Sequence, residues 1–278
     1  MGAENEGRTR ADAFRDAYHL GDQPLGDLVA LIEQTVRCDV AVLDTTEQDE
    51  HGLSMRDPAR HIVFIGIART RNPMRQRSTL AHELAHVLFE DWDASQGEEL
   101  SHRSVREIRA DAFARHLLIP RAGVRNFIGE ARPLTEGDLS SLVQRFLVSP
   151  AIASIALQDC GYISDDQKST WLSISTGQLA RRYGWVDQYE AMQDESDRSR
   201  PPQRLLARAV SGYEEGVLSA QAVATLRGVS LEAAQDYLDR TSSGPRAPEV
   251  PSMAAEDLPP VDTDLSALDD DAPEGRTP

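Results

Sequence analysis

The chain contains two histidines and a glutamate at a spacing that suits metal-assisted hydrolysis. His82, Glu83 and His86 form an H-E-x-x-H motif. Positions four apart on an α-helix lie on one face, so both imidazoles can reach one zinc ion at about 2.0–2.1 Å. Glu83 can then take the proton of a zinc-activated water and pass it to the leaving amine. The motif predicts a zinc hydrolase with His82 and His86 as ligands and Glu83 as the catalytic residue.

A third protein ligand is expected, because catalytic zinc sites combine three protein ligands with one open position. Glu107 and Asp111 lie four residues apart in a predicted helix and share a face. We assign Glu107 as the third metal ligand and Asp111 as the carboxylate that accepts a hydrogen bond from a ligand histidine. The alternative for Glu107 is a salt bridge to Arg103 or Arg106. Zn²⁺ is the expected metal, with Mn²⁺ or iron as alternatives.

Two further roles around this motif stay open in the sequence. His102 is an alternative third ligand, whereas His116 lies nine residues beyond Glu107 and is expected to point elsewhere. The reaction also needs a donor that stabilises the oxyanion. Tyr162, Arg106 and His102 are the candidates, and the sequence does not choose among them.

The segments around the motif predict an α+β fold, in which a short sheet packs against helices. We expect the motif helix to begin with Ser78 or Thr79 as its N-cap. The second predicted strand, 61–68, would use an exposed edge to hold an extended peptide. Apolar periodicity and β-branched runs predict helices at 24–37, 79–90 and 104–118, and strands at 39–44, 52–56 and 61–68.

The second half of the chain reads as helical throughout. Two of its segments resemble each other, and both place a short turn ending in Val-Ser between two helices, as in helix-turn-helix units. Predicted helices cover 138–146, 150–158, 203–213, 220–226 and 231–238. The chain is therefore divided into a metallopeptidase domain at 17–130, a helical domain with helix-turn-helix-like units at 131–243, and a tail at 244–278.

The amino-acid composition limits where in the cell the protein is expected and which classes of molecule it is expected to bind. The net charge is −17, which argues against a general nucleic-acid binder. The tail holds 7 of the 15 prolines and a net charge of −7, so we expect it to be disordered. Residues 1–16 are expected to be loose and resemble no signal peptide. With two cysteines and no apolar run of membrane-spanning length, we expect a cytoplasmic protein without membrane contact.

A run of arginines without acidic residues precedes the motif. Arg69, Arg71, Arg75 and Arg77 are expected to lie in a loop before the motif helix. Such a run is either a solvated loop or a docking site. The docked molecule would be an acidic substrate, or DNA to which the substrate is bound.

Three motifs together resemble the ImmA/IrrE family of metallopeptidases, over roughly residues 20–165. They occupy residues 77–86, 107–114 and 117–120. The resemblance implies a small zincin-like, gluzincin-like domain in which His82, His86 and Glu107 bind the metal and Glu83 is catalytic. It also implies that the protein substrate is a helix-turn-helix transcriptional repressor, whose cleavage relieves repression in a stress response or in mobile elements.

Two observations concern the helical half. Leu147 stands where the family usually has glycine, and a non-glycine residue disfavours a left-handed helix C-cap. The predicted second helices of both helix-turn-helix-like units lack the basic character that DNA contact requires, so direct DNA binding is not expected. The alternative to an enzyme is a regulatory protein that sequesters a partner or a DNA-binding regulator and has a structural metal site.

Overall fold

The computed structural model describes residues 2–45, 52–60, 62–92 and 104–241. They form a mixed α+β structure with one small sheet and many helices, so the predicted α+β class is confirmed. The tail at 244–278, together with His102 and Arg103, lies outside the described residues. In chain order the elements are α1 (Ala3–Ala17), α2 (Leu28–Thr35), β1 (Asp39–Leu43), β2 (Gly52–Asp57), β3 (Ile62–Ala68), α3 (Pro73–Phe89), α4 (Val105–Leu118), α5 (Arg121–Ile128), α6 (Glu136–Phe146), α7 (Pro150–Asp159), α8 (Asp165–Trp171), α9 (Thr176–Arg182), α10 (Val186–Ser196), α11 (Gln203–Glu214), α12 (Ala220–Arg227) and α13 (Leu231–Thr241).

The sheet has the strand order β1-β3-β2. β3 pairs with β1 in parallel, with Val40 opposite Ile65, and with β2 antiparallel, with Ser54 opposite the same Ile65. The expectation that the strand at 61–68 offers an exposed edge is therefore wrong, because β3 is hydrogen-bonded on both sides. Within the described residues, the outer edge of the sheet next to the motif helix belongs to β2.

The motif helix begins earlier than expected. The side chain of Asn72 accepts a hydrogen bond from the backbone N–H of Arg75 at 3.3 Å, and Pro73 occupies the first turn. This Asn-Pro pair is a helix-start signal, since proline at the first helical position needs no hydrogen-bond partner for its nitrogen. The predicted N-cap at Ser78 or Thr79 is wrong, and Arg75 lies on α3 rather than in a loop.

The N-terminal segment is a helix, and the expectation of a loose segment at 1–16 is wrong. α1 packs along α4, with Ala11 and Phe14 in the core. A Cβ on Gly7 would lie 2.2 Å from the carbonyl oxygen of Arg109, so the two helix backbones touch there. The mixture of acids and arginines in α1 reflects ion pairs with α4, such as Glu6 with Arg109 at 3.3 Å.

One hydrophobic core extends from α1 to Trp185, and a second, smaller one lies among α11, α12 and α13. The predicted helices of the second half are present, and α5, α8, α9 and α10 are additional. Leu147 ends α6 in the left-handed conformation, with φ 54° and ψ 47°. It therefore takes the backbone form that we expected a non-glycine residue to disfavour.

No single helix among the described residues is both long and apolar enough to cross a membrane. Helices α6 and α7 meet that test only when taken together, and they are bent by 107° at the turn between them.

Candidate metal centre

The two helices that carry the predicted ligands pack directly against each other. α3 supplies His82, Glu83 and His86, and α4 supplies Glu107 and Asp111. Ser104 caps α4 by accepting a hydrogen bond from the backbone N–H of Glu107 at 3.3 Å, which sets the first turn of the helix beside the motif. The structure thus brings all five predicted site residues into one place.

The side chains of three of these residues converge on one point. The Nε2 atoms of His82 and His86 lie 3.0 Å apart, and Glu107 Oε2 lies 3.1 Å from His82 Nε2. The remaining distance, His86 Nε2 to Glu107 Oε1, is 3.5 Å. In a tetrahedral zinc site with bonds of about 2.0–2.1 Å, neighbouring ligand atoms are about 3.3 Å apart. The two imidazole nitrogens and the Glu107 carboxylate, which turns a different oxygen towards each of them, are therefore spaced closely enough to share a single zinc ion.

A carboxylate contacts the Nδ1 atom of each of the two imidazole rings and so orients the ring. Asp111 Oδ1 lies 2.9 Å from His82 Nδ1, and Asp91 Oδ2 lies 3.1 Å from His86 Nδ1. A proton held on each Nδ1 leaves each Nε2 free as a neutral donor to a metal. The structure thus places Asp111 where the sequence assigns it and adds Asp91, to which the sequence analysis gave no role at the metal site.

Asp91 reaches His86 because of the way α3 ends. Glu90 caps α3 in the left-handed conformation, and the backbone N–H of Asp91 donates to the carbonyl of His86 at 2.9 Å. The carboxylate of Asp91 is 5% exposed and pairs with the guanidinium of Arg109 on α4. Arg109 also stacks on Phe89, 4.4 Å from the ring centroid. An acid one residue beyond the C-cap of a motif helix is the signal that could have indicated this residue.

Glu83 lies against the start of β2. It is almost completely buried, and it lines a cavity of about 520 Å³ together with His82 and Asp111, which we call the site cavity. A Cβ on Gly52 would lie 2.9 Å from Glu83 Cγ and 3.0 Å from Glu83 Oε1. Only glycine at this position lets the strand approach the Glu83 carboxylate so closely. Sequence reasoning did not single out Gly52.

The other candidates lie apart from the converging donor atoms. His116 is buried with its Nε2 atom 3.5 Å from Glu4 Oε1, and burial lowers its pKa. Tyr162 donates its hydroxyl to the carbonyl of Gly129 at 2.8 Å. Arg106 Nε lies 4.0 Å from Asp91 Oδ1. None of these three side chains lines the site cavity, whereas Arg75 does.

Most of the arginine run is engaged in the structure itself. Arg69 pairs with Asp44 at 2.8 Å, and Arg71 pairs with Asp194 at 2.8 Å. The guanidinium of Arg77 donates to the backbone carbonyls of residues 25 and 26 at 2.6 and 2.7 Å, and burial lowers its pKa to about 10. Arg69 and Arg71 lie in the loop before α3 with exposed side chains, as a solvated loop would have them, whereas Arg77 lies on α3 and its guanidinium binds backbone carbonyls, so the interpretation is wrong for Arg77.

Comparison with known proteins agrees with this geometry. Residues 34–158 match the family model described as the IrrE N-terminal-like domain, which is a peptidase family, M78. No curated protein matches the chain. The matched segment includes His82, Glu83, His86, Glu107 and Asp111. The resemblance to the ImmA/IrrE family is thus confirmed for residues 34–158, which are similar to the IrrE N-terminal-like domain of the M78 peptidases.

Proposed function

We propose that this protein is a zinc-dependent endopeptidase of the gluzincin type, with a zincin-like catalytic domain at 17–130. The observation that carries the proposal is the convergence of His82 Nε2, His86 Nε2 and the two carboxylate oxygens of Glu107, with separations of 3.0–3.5 Å between the residues. Glu83 lies on the same helix as both histidines and lines the site cavity together with His82. Two imidazoles and one carboxylate suit zinc, and Mn²⁺ is the alternative.

In this proposal the side chains of the site have distinct chemical roles. A bound zinc ion would act as a Lewis acid that polarises a peptide carbonyl and makes water a stronger nucleophile. His82 and His86 hold it as neutral imidazoles because Asp111 and Asp91 accept their Nδ1 protons. Glu83 accepts a proton from the attacking water at its carboxylate and then delivers it to the nitrogen of the leaving amine.

The sheet edge beside Glu83 offers a way to hold the substrate. β2 begins at Gly52, in the wall of the site cavity, and its outer edge has no strand partner among the described residues. An extended peptide can add to such an edge through main-chain hydrogen bonds. β2 therefore takes the role that the sequence suggested for 61–68.

The family resemblance supplies the proposed substrate and setting. We propose that the substrate is a helix-turn-helix transcriptional repressor, and that its cleavage relieves repression. The helical domain at 131–243, with its helix-turn-helix-like pairs α6–α7 and α12–α13, is proposed to contact protein rather than DNA. A cytoplasmic location is supported by Cys38 and Cys160, which are both free thiols.

The test compares the wild type with Glu83→Gln. Purified proteins are assayed for zinc by atomic absorption, and cleavage of a co-expressed helix-turn-helix repressor from the same operon is followed by immunoblotting. We expect Glu83→Gln to keep zinc and lose cleavage at least a hundredfold. The exposed Glu232→Gln on α13 is the matched control and should cleave normally. Equal cleavage by Glu83→Gln, or cleavage by neither protein, would support the alternative of a binding protein with a structural metal.

A further inference from the structure

Arg75 differs from the other arginines of the run before the motif. Arg69, Arg71 and Arg77 each have partners within the fold. Arg75 is exposed on α3, and its guanidinium has no hydrogen bond or ion pair among the described residues. The structure therefore leaves one cation of the run available to a molecule outside the chain.

This free cation lies where two cavities meet. Arg75 and Ser78 line the site cavity, and both also line a second cavity of about 500 Å³. We call the second one the distal cavity; it lies between α3, the start of α7, and helices α9 and α10. Because the two cavities share these wall residues, they adjoin each other along α3, and we call the two together the groove.

The length of this groove can be estimated from the helix. Arg75 and Glu83 are eight residues apart on α3, which corresponds to about 12 Å along the axis. An extended peptide rises about 3.3 Å per residue, so three to four residues cover that distance. Ile152 and Ile155 of α7 also line the site cavity, and they give it an apolar wall.

We propose that this groove binds an extended segment of the substrate, and that Arg75 pairs with an acidic side chain three or four residues from the scissile bond. The position of that bond rests on the proposed function of Glu83. Arg181 and Glu190 line the distal cavity, and Arg115, which lines the site cavity, pairs with Glu4. Arg75 is the cation that lines both cavities, and it is a specificity-determining residue for acidic sequences.

The experiment uses quenched fluorescent decapeptides of mixed sequence. One position at a time carries Glu, Gln or Arg, and mass spectrometry locates each cut. The full-length proteins are the wild type, Arg75→Gln and Arg75→Glu. The matched control is Arg71→Gln, which removes an arginine of the same run that lines neither cavity. The same peptides are titrated against zinc-loaded Glu83→Gln by fluorescence anisotropy, alone and with each substitution, so that binding is measured without cleavage.

We expect the wild type and Arg71→Gln to prefer Glu over Gln about five- to tenfold at one position, three or four residues from the cut. Arg75→Gln should abolish this preference, and Arg75→Glu should favour Arg instead. A preference that survives in Arg75→Gln, or that is absent from both assays, overturns the proposal. Glu-selective binding without cleavage would retain the groove and contradict the peptidase, whereas unselective cleavage would contradict the groove alone.

Discussion

Gly52 provides the sharpest test of how the site positions Glu83. In Gly52→Ala, the added Cβ would lie 2.9 Å from Glu83 Cγ, 3.0 Å from Glu83 Oε1 and 2.7 Å from Thr79 Cγ2. Carbon atoms pack best at about 3.5–4.0 Å, so these groups must separate by about 0.5–1 Å. A displacement of about 1 Å at a catalytic group can lower the rate about a hundredfold, and overpacking costs about 1–3 kcal/mol of stability.

We therefore expect Gly52→Ala to keep its zinc, because the three atoms nearest to the added Cβ belong to Thr79 and Glu83 rather than to a ligand histidine, and to lose ten- to a hundredfold in kcat. Zinc content, peptide hydrolysis and thermal unfolding would be measured on the same preparations. Adding Thr79→Ser removes the Thr79 Cγ2 contact and should restore stability but not the rate. Gly66→Ala is the matched strand control, since its Cβ would meet a methyl of Leu43 at 3.1 Å, and it should keep activity. Full activity in Gly52→Ala, or loss of zinc in parallel with activity, would refute the reasoning.

Three further changes test other contacts. Asp91→Asn removes the carboxylate behind His86, and we expect zinc affinity to fall about ten- to a hundredfold in chelator competition. Arg15→Leu removes a buried guanidinium that donates to the carbonyl of Leu117 at 2.9 Å, and should cost about 2–4 kcal/mol in urea unfolding. Burial lowers the pKa of His116 below its usual 6.5, so the unfolded chain binds its proton first and stability should fall as the pH drops below that value. His116→Gln should make that fall shallower.

Each of these predictions has an outcome that contradicts it. Unchanged zinc affinity in Asp91→Asn would mean that the C-cap geometry does not orient His86. The exposed Arg10 donates to the carbonyl of Leu88 at 3.0 Å, and an equal loss of stability in Arg10→Leu and Arg15→Leu would show that burial of Arg15 is not decisive. An identical pH profile for His116→Gln would contradict the burial argument.

Local sequence was sufficient wherever the physics is local. The i,i+4 spacing of His82 and His86, and of Glu107 and Asp111, follows from helix geometry alone, and the structure brings these side chains together as the spacing predicts. The three strands and the helices at 104–118 and 203–213 were also predictable from apolar periodicity. The start of α3 was missed although it is local, because Asn72 and Pro73 were not considered as an N-cap and first helical residue.

The tertiary structure determined which residues that are distant in the sequence come into contact. α1 appeared loose because its charges carry no local signal, yet Glu6 pairs with Arg109 across the packed helices. The contact of Gly52 with Glu83, the pairing of Asp91 with Arg109, and the absence of a partner for Arg75 within the part of the chain that the structure describes are also properties of packing. A sequence states the type and spacing of its charges along one element. Whether a charged side chain has a partner on another element depends on the packed fold. In this fold Arg69, Arg71 and Arg77 have partners within the chain, and Arg75 faces the groove.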